Sequence, residues 1–195
     1  MGEPMTDTRP TVLVVDDDRQ LADLYAAWLQ DEYDVWTAYG GKEAIEAMCE
    51  RVDVVLVDRL MPRTPGDEVV GYVREQRFDC RISIVTAVEP DFDIIEMGFD
   101  EYLVKPVRSD ELQTVVSSLI TRSEYDEKLQ EFFALTAKRA ALEAEKSPRE
   151  LETSDAYAEL TAEFEGLQSD LERTVAKLSG RDFEVEMRRM SADAA

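Results

Sequence analysis

The chain has 195 residues, 44% of them hydrophobic, which is enough for a folded core in one domain with an appendage or in two small domains. Its 22 basic and 44 acidic residues leave a formal charge of −22, which argues against a protein that grips nucleic acid through a broad basic face. With no histidine and only two cysteines, Cys49 and Cys80, the chain has no histidine-based catalysis, no histidine-ligated or four-cysteine zinc site and no disulfide framework.

Thr11–Val15 (TVLVV) is a short apolar, β-branched run that stops at three acids, the pattern of a strand buried on both faces. Leu21, Leu24, Tyr25, Trp28 and Leu29 then recur at helical spacing, with Asp18 placed as the cap. Residues 33–37 predict a second strand, and Gly40 and Gly41 a turn before a helix carrying Ala44, Ile45, Ala47 and Met48. Residues 52–57 (VDVVLV) form the third apolar run and end on Asp58. A Pro- and Gly-containing loop over 61–66 leads to a helix over 67–76 with Val69, Val70 and Val73 inward. Residues 82–85 predict a fourth strand ending at Thr86, followed by a short helix over 91–97. Glu101–Val104 is the fifth strand, ending at Lys105-Pro106, and Leu112, Val115, Val116, Leu119 and Ile120 mark an amphipathic helix.

Strands alternating with helices predict a parallel sheet covered on both faces, with the working groups at the carboxyl ends of the strands. Four of the five strands end in residues able to do chemistry: Asp16 and Asp17, Asp58, Thr86 and Lys105. Three converging carboxylates repel one another, and a hard divalent cation such as Mg2+ relieves that repulsion while taking up phosphate oxygens. Lys105 and Thr86 would hold the same oxygens, which leaves Asp58 as the nucleophile that accepts a phosphoryl group as a mixed anhydride. One acid behind a strand is usually only a helix cap, but five such groups in this order are hard to obtain by accident.

At these residues the chain resembles the receiver domain of two-component response regulators. The matching pieces are VLVVDDD at 12–18, VDVVLVDRLMP at 52–62, Gly66, IVTA at 84–87 and YLVKP at 102–106. The resemblance implies a flavodoxin-like (βα)5 domain over residues 11–122 with strand order 2-1-3-4-5. It implies Asp58 as phosphoacceptor, Mg2+ bound directly by Asp17 and largely through water by Asp16, with Asp58 in the metal set and the Leu60 backbone carbonyl as a further ligand. It places Lys105 and Thr86 on the phosphoryl oxygens, makes the Lys105-Pro106 peptide cis, and names a sensor histidine kinase as donor. Tyr102 stands at the switch aromatic, so Thr86 is expected to move toward the phosphate and Tyr102 to turn inward, altering the face made by the fourth helix, fifth strand and fifth helix. That face is one candidate for homodimer formation. Leu60 and Val88 flank the route of a hydrolytic water and neither can orient it, so a long-lived phosphoryl group is expected. Aspartyl-phosphate phosphatases carry a second acid where Leu60 stands, so this protein is expected not to be an enzyme beyond the phosphorylation and dephosphorylation of its own receiver.

From residue 123 strand signals vanish and Ala, Glu and Leu dominate. A helix is predicted from 123 to about 146 with Leu129, Phe132, Phe133, Thr136 and Ala140 as its stripe. Ser147, Pro148 and Glu150 form a capping box, with a further start at Thr153 or Ser154 left open. Leu160, Phe164, Leu167, Leu171, Val175 and Leu178 make a coiled-coil-like seam, Gly180 a C-cap, and residues 181–190 a third short helix. A helical hairpin within the chain buries both stripes, and the same helices offer a second route to a homodimer. This segment resembles the HalX domain, a small helical module found after haloarchaeal receivers, through its acidic helical pair and the DAYAEL and DFEVEMRRM patches. The domain plan is a flexible 1–10, a receiver over 11–122, a HalX-like output domain over 123–190 and a disordered 191–195.

The acids are dispersed, and arginine outnumbers lysine sixteen to six, a composition like that of proteins from salt-loving organisms. No stretch approaches a membrane span, the N-terminus is not a secretory signal, and the two cysteines read as buried free thiols, so the expected location is a reducing cytoplasm. Three readings of the output stand open: transcription control through DNA contact, a phosphorylation-controlled protein-binding module, or a phosphoryl sink whose tail only dimerises. The second part is net −8 and has no visible basic recognition helix, but molar salt weakens phosphate contacts for every protein, which makes its acidity less damaging to the first reading.

Overall fold

The computed structural model describes residues 9–192, and side chains through residue 175. Of the expected flexible start over 1–10 and disordered tail over 191–195, residues 1–8 and 193–195 lie outside the described residues, whereas Ser191 and Ala192 continue the last helix. The elements are β1 Thr11–Val15, α1 Arg19–Leu29, β2 Asp34–Ala38, α2 Gly41–Ala47, β3 Val54–Val57, α3 Gly66–Glu75, β4 Arg81–Thr86, a 3-10 segment Phe92–Glu96, β5 Glu101–Val104, α4 Ser109–Glu145, α5 Pro148–Glu152 and α6 Asp155–Ala192. The chain divides into two compact units, Met1–Ile120 and Thr121–Ala195.

In the first unit five parallel strands stand in the order β2-β1-β3-β4-β5, the flavodoxin-like topology. Successive residues of a strand point to opposite faces, so an apolar run without alternation needs cover on both sides. Val12 and Val14 of β1 join Val54, Leu56, Val85 and Leu103 beneath Tyr25, Leu29, Leu112, Val116 and Leu119. Leu13 and Val15 face the other way, with Val55, Val57, Ile82 and Ile84, against Ala44, Val69, Val70 and Val73. Asp18 caps α1 by accepting from the Gln20 and Leu21 amides.

The predicted helix over 91–97 is a single 3-10 turn. It buries none of its residues and leaves Phe92 and Ile95 85% and 75% exposed, so no core contact draws it into a longer helix. The helices expected on either side of residue 122 are one helix, α4, because no glycine or proline interrupts its sequence from Ser109 to Glu145.

In the second unit both candidate starts are used. Ser147 and Glu150 close the capping box of the short α5, and Ser154 then accepts from the Tyr157 amide at the start of α6. The backbone of α6 runs on through Gly180, so the C-cap and the separate helix over 181–190 are not formed. A glycine inside a helix costs only about 1 kcal/mol, and no proline follows to stop it. The α4 stripe is also rotated from the expected one: Leu135 is buried, whereas Phe133 is 62% exposed and Thr136 and Ala140 face out. The place expected for Ala140 is taken by Arg139, whose guanidinium lies 4.2 Å from the Phe164 ring centre. Phe132 stacks on Phe164 at 4.8 Å, and Tyr157 donates to Glu143 at 2.7 Å, so α4 and α6 pair within one chain. On α6 Thr174 is buried while Val175 is 44% exposed. The Thr174 hydroxyl can be buried because it donates to the Asp170 carbonyl at 2.9 Å.

Candidate functional site

Asp16 follows β1, Asp58 follows β3, Thr86 closes β4 and Lys105 follows β5, all at one edge of the sheet. The parallel register makes this inevitable, since every strand runs the same way and its carboxyl end falls on the same side. Backbone bonds from Asp58 N to Val15 O and from Lys105 N to Thr86 O, at 2.9 and 2.8 Å, extend the ladder to these residues.

Lys105 Nζ donates to Asp16 Oδ2 and to Asp58 Oδ2, each at 2.6 Å. The remaining oxygens are also engaged: Asp16 Oδ1 accepts from the Asp18 amide at 2.9 Å and Asp58 Oδ1 from the Leu60 amide at 3.1 Å. Asp16 and Asp58 are buried, while Asp17 is exposed. Burial raises the pKa of Asp16, and the hydrogen bonds from Lys105 and the Asp18 amide only partly reverse this. Burial alone would lower the pKa of Lys105, but its bonds to Asp16 and Asp58 outweigh it and hold the ammonium charged.

Asp16, Asp17 and Asp58 each offer an oxygen, and these oxygens lie within 4.8 Å of one another. One ammonium against three carboxylates leaves an excess of negative charge in a half-buried site, which fits a divalent cation bound by oxygen. Thr86 is fully buried, and its Oγ1 is 3.5 Å from the Val88 amide. Tyr102 is turned inward: it packs against the α2–α3 side of the core, its ring centre is 5.6 Å from that of Phe99, and its hydroxyl donates to the Val88 carbonyl at 2.9 Å. Leu60 points outward and is 65% exposed. The Lys105-Pro106 peptide is cis.

Two features escaped the sequence. A cleft of about 420 Å³ lies beside the site, lined by Leu21, Leu24, Tyr25 and Trp28 of α1 and by Lys105, Pro106 and Val107. Helical spacing marks Leu21, Leu24, Tyr25 and Trp28 only as the apolar stripe of α1, yet Leu24 is 43% exposed. The other is Arg59, directly after Asp58, whose guanidinium pairs with Asp67 and Asp93. No sequence pattern marks those partners, which are 8 and 34 residues away. Gly66 was part of the motif, and its role is steric: a Cβ there would lie 2.2 Å from the Asp58 carbonyl oxygen.

Two family models match the chain: the response regulator receiver domain over residues 12–117 and the HalX domain over residues 121–187. A protein of Haloferax volcanii described as a transcriptional regulator is 45% identical over 165 residues, covering 84% of this chain and 28% of its own length. The alkaline phosphatase synthesis transcriptional regulatory protein PhoP of Bacillus subtilis is 35% identical over 118 residues, covering 58% of this chain and 49% of its own. The chain thus spans about a quarter to a half of the length of these curated relatives. Among solved structures, the response regulator TrrA of Thermotoga maritima in complex with Mg2+ and BeF matches at a TM-score of 0.50 and 34% identity, over 56% of this chain and 97% of that one.

Proposed function

The chain belongs to the response regulator receiver family and carries a HalX domain behind its receiver, and from that premise we propose that it accepts a phosphoryl group on Asp58 from the phosphohistidine of a sensor kinase. The observation that carries this reading is the convergence of Asp16, Asp58 and Lys105 at 2.6 Å contacts, from positions 89 and 47 residues apart. The chain holds no histidine, so the donating imidazole belongs to a partner.

In the transfer, a carboxylate oxygen of Asp58 attacks phosphorus. A P–O bond forms, the P–N bond breaks, and its electron pair returns to the imidazole nitrogen. Lys105 follows the charge from the carboxylate to the phosphoryl oxygens, and the Thr86 hydroxyl donates to one of them. Asp16, Asp17, Asp58 and the Leu60 carbonyl would hold Mg2+, which supplies cancellation of charge on the transferring group; the three clustered carboxylates, and a solved relative in complex with Mg2+ and BeF, support a Mg2+ site in this fold. The apolar cleft beside α1 opens next to Lys105 and suits a kinase helix laid against Leu24 and Trp28. The receiver acts only on its own phosphorylation. Leu60 and Val88 offer no group to orient water, so the acyl phosphate persists.

The output of the HalX unit is transcription control, a reading supported by the regulator from Haloferax volcanii. The deciding experiment for the receiver is labelling of wild type and Asp58→Asn with acetyl phosphate or a cognate kinase, in which only the wild type takes label. Gel shifts in molar KCl with phosphorylated protein test the output. Retention of upstream DNA favours direct DNA contact, and its absence together with capture of one specific protein favours a partner module.

A further inference from the structure

Arg59 follows the phosphoacceptor, and its side chain is only 12% exposed although it is permanently charged. It donates from Nε and Nη2 to the two oxygens of Asp67 at 3.1 and 3.3 Å and also pairs with Asp93. Asp67 lies in the first turn of α3 and Asp93 in the 3-10 segment. The Tyr102 hydroxyl lies against the same guanidinium and donates to the Val88 carbonyl at 2.9 Å. The Val88 amide in turn faces Thr86 Oγ1 at 3.5 Å. A polar path therefore leads from the peptide next to Asp58, through Arg59, Tyr102 and Val88, to Thr86.

The geometry points to Arg59 as a positioning residue for phosphoryl transfer, one that holds Tyr102 inward and the 3-10 segment against α3 so that Thr86 is in place before the phosphoryl group arrives. The inference rests on Asp58 being the phosphoacceptor. The 3-10 segment has no buried residue of its own. Its far end is secured by Arg74, which donates to the Gly98 carbonyl at 2.6 Å and to Asp100 at 2.8 Å, but that anchor is distant in the fold from Asp58. Arg59 is the anchor beside the site. When it is removed, Tyr102 and the segment gain conformations in which Thr86 is not aligned. A donor then reacts only with the aligned fraction, and the observed rate falls by that fraction.

The test uses the full chain, with acetyl phosphate and Mg2+ at saturation, and compares Arg59→Gln, Arg59→Lys, Asp93→Asn and the Arg59→Gln/Asp93→Asn pair. Asp93 is 55% exposed, so its variant takes nothing from the core. Each single variant should label about three- to tenfold more slowly, the size expected for one or two partly screened ion-pair contacts, and the pair should be no slower than Arg59→Gln alone. Hydrogen exchange over residues 88–97 should quicken in the same variants. If Arg59 acted only by attracting the anionic donor, Arg59→Lys would label at the wild-type rate and Asp93→Asn would label faster, and either result overturns the inference. Wild-type rates in all four variants overturn it alone. An unlabelled wild type, or a labelled Asp58→Asn, overturns the Asp58 reading and this inference with it.

Discussion

Replacing Lys105 by methionine keeps the length of the side chain and removes its charge. In the metal-free protein this leaves Asp16 and Asp58 facing each other, both buried, where each had an ammonium at 2.6 Å. Each contact is worth roughly 6 kcal/mol of Coulomb attraction at an effective dielectric near 20, most of it offset by desolvation. Breaking one side of such a buried cluster costs about 3–5 kcal/mol, because the surviving charges stay desolvated. In a unit of this size that lowers Tm by roughly 10–20 °C. The pH dependence gives the sharper test. The Lys105 pKa is raised in the folded state, so the stability it contributes is fully present below its ordinary value of 10.5 and is lost as pH rises through the folded value. The Asp16 pKa is already raised, so an ionised Asp16 disfavours the folded state once the pH passes its ordinary 3.8, and without Lys105 the shift grows. The gap between wild type and Lys105→Met should therefore be widest near neutral pH and narrow as pH falls toward the raised Asp16 pKa, where that carboxyl takes a proton. Urea unfolding with EDTA from pH 5 to 8 measures this. A gap below about 1 kcal/mol, or one that does not change with pH, refutes the idea that Lys105 neutralises a buried carboxylate pair.

Four further outcomes are expected. Burial pushes the Cys80 thiol up to about 11, so at pH 8 iodoacetamide should modify the half-exposed Cys49 and spare Cys80 until the protein unfolds, which mass spectrometry resolves. In Gly66→Ala the new Cβ meets the Asp58 carbonyl oxygen, so the variant should lose about 1–3 kcal/mol in urea unfolding and label more slowly with acetyl phosphate. Phe164→Ala removes the ring that Phe132 and Arg139 both stack on, and should destabilise the helical unit by about 2 kcal/mol while leaving acetyl phosphate labelling intact, read by circular dichroism and autoradiography. The phosphoryl group should outlast seconds by a wide margin, followed as loss of label after the donor is removed; a half-life of only seconds would show that Leu60 and Val88 do not govern access of water.

Much of the receiver was legible because its signals are local. Apolar runs without alternation can be satisfied only by a sheet covered on both faces, and Thr11–Val15 and Val54–Val57 are buried throughout. Asp18 and the Ser147–Glu150 box act through bonds spanning two or three residues, so they too could be read from spacing. The hairpin was legible only in outline. Helical periodicity assigned Val175 to the seam, but a satisfied Thr174 took the buried place, and a stacked Arg139 displaced the stripe expected at Ala140.

The sequence by itself determined the order of the strands' chemistry-bearing ends, because parallel connections deliver every carboxyl end to one edge and Asp16, Asp58, Thr86 and Lys105 each sit on such an end. Only the tertiary structure decided which charges meet. Arg59 finds Asp67 and Asp93, and Lys105 bridges Asp16 and Asp58, across separations of 8 to 89 residues. Ion pairs leave no periodic trace in a chain with 44 acids to choose from, and burial of their surroundings selects the partners.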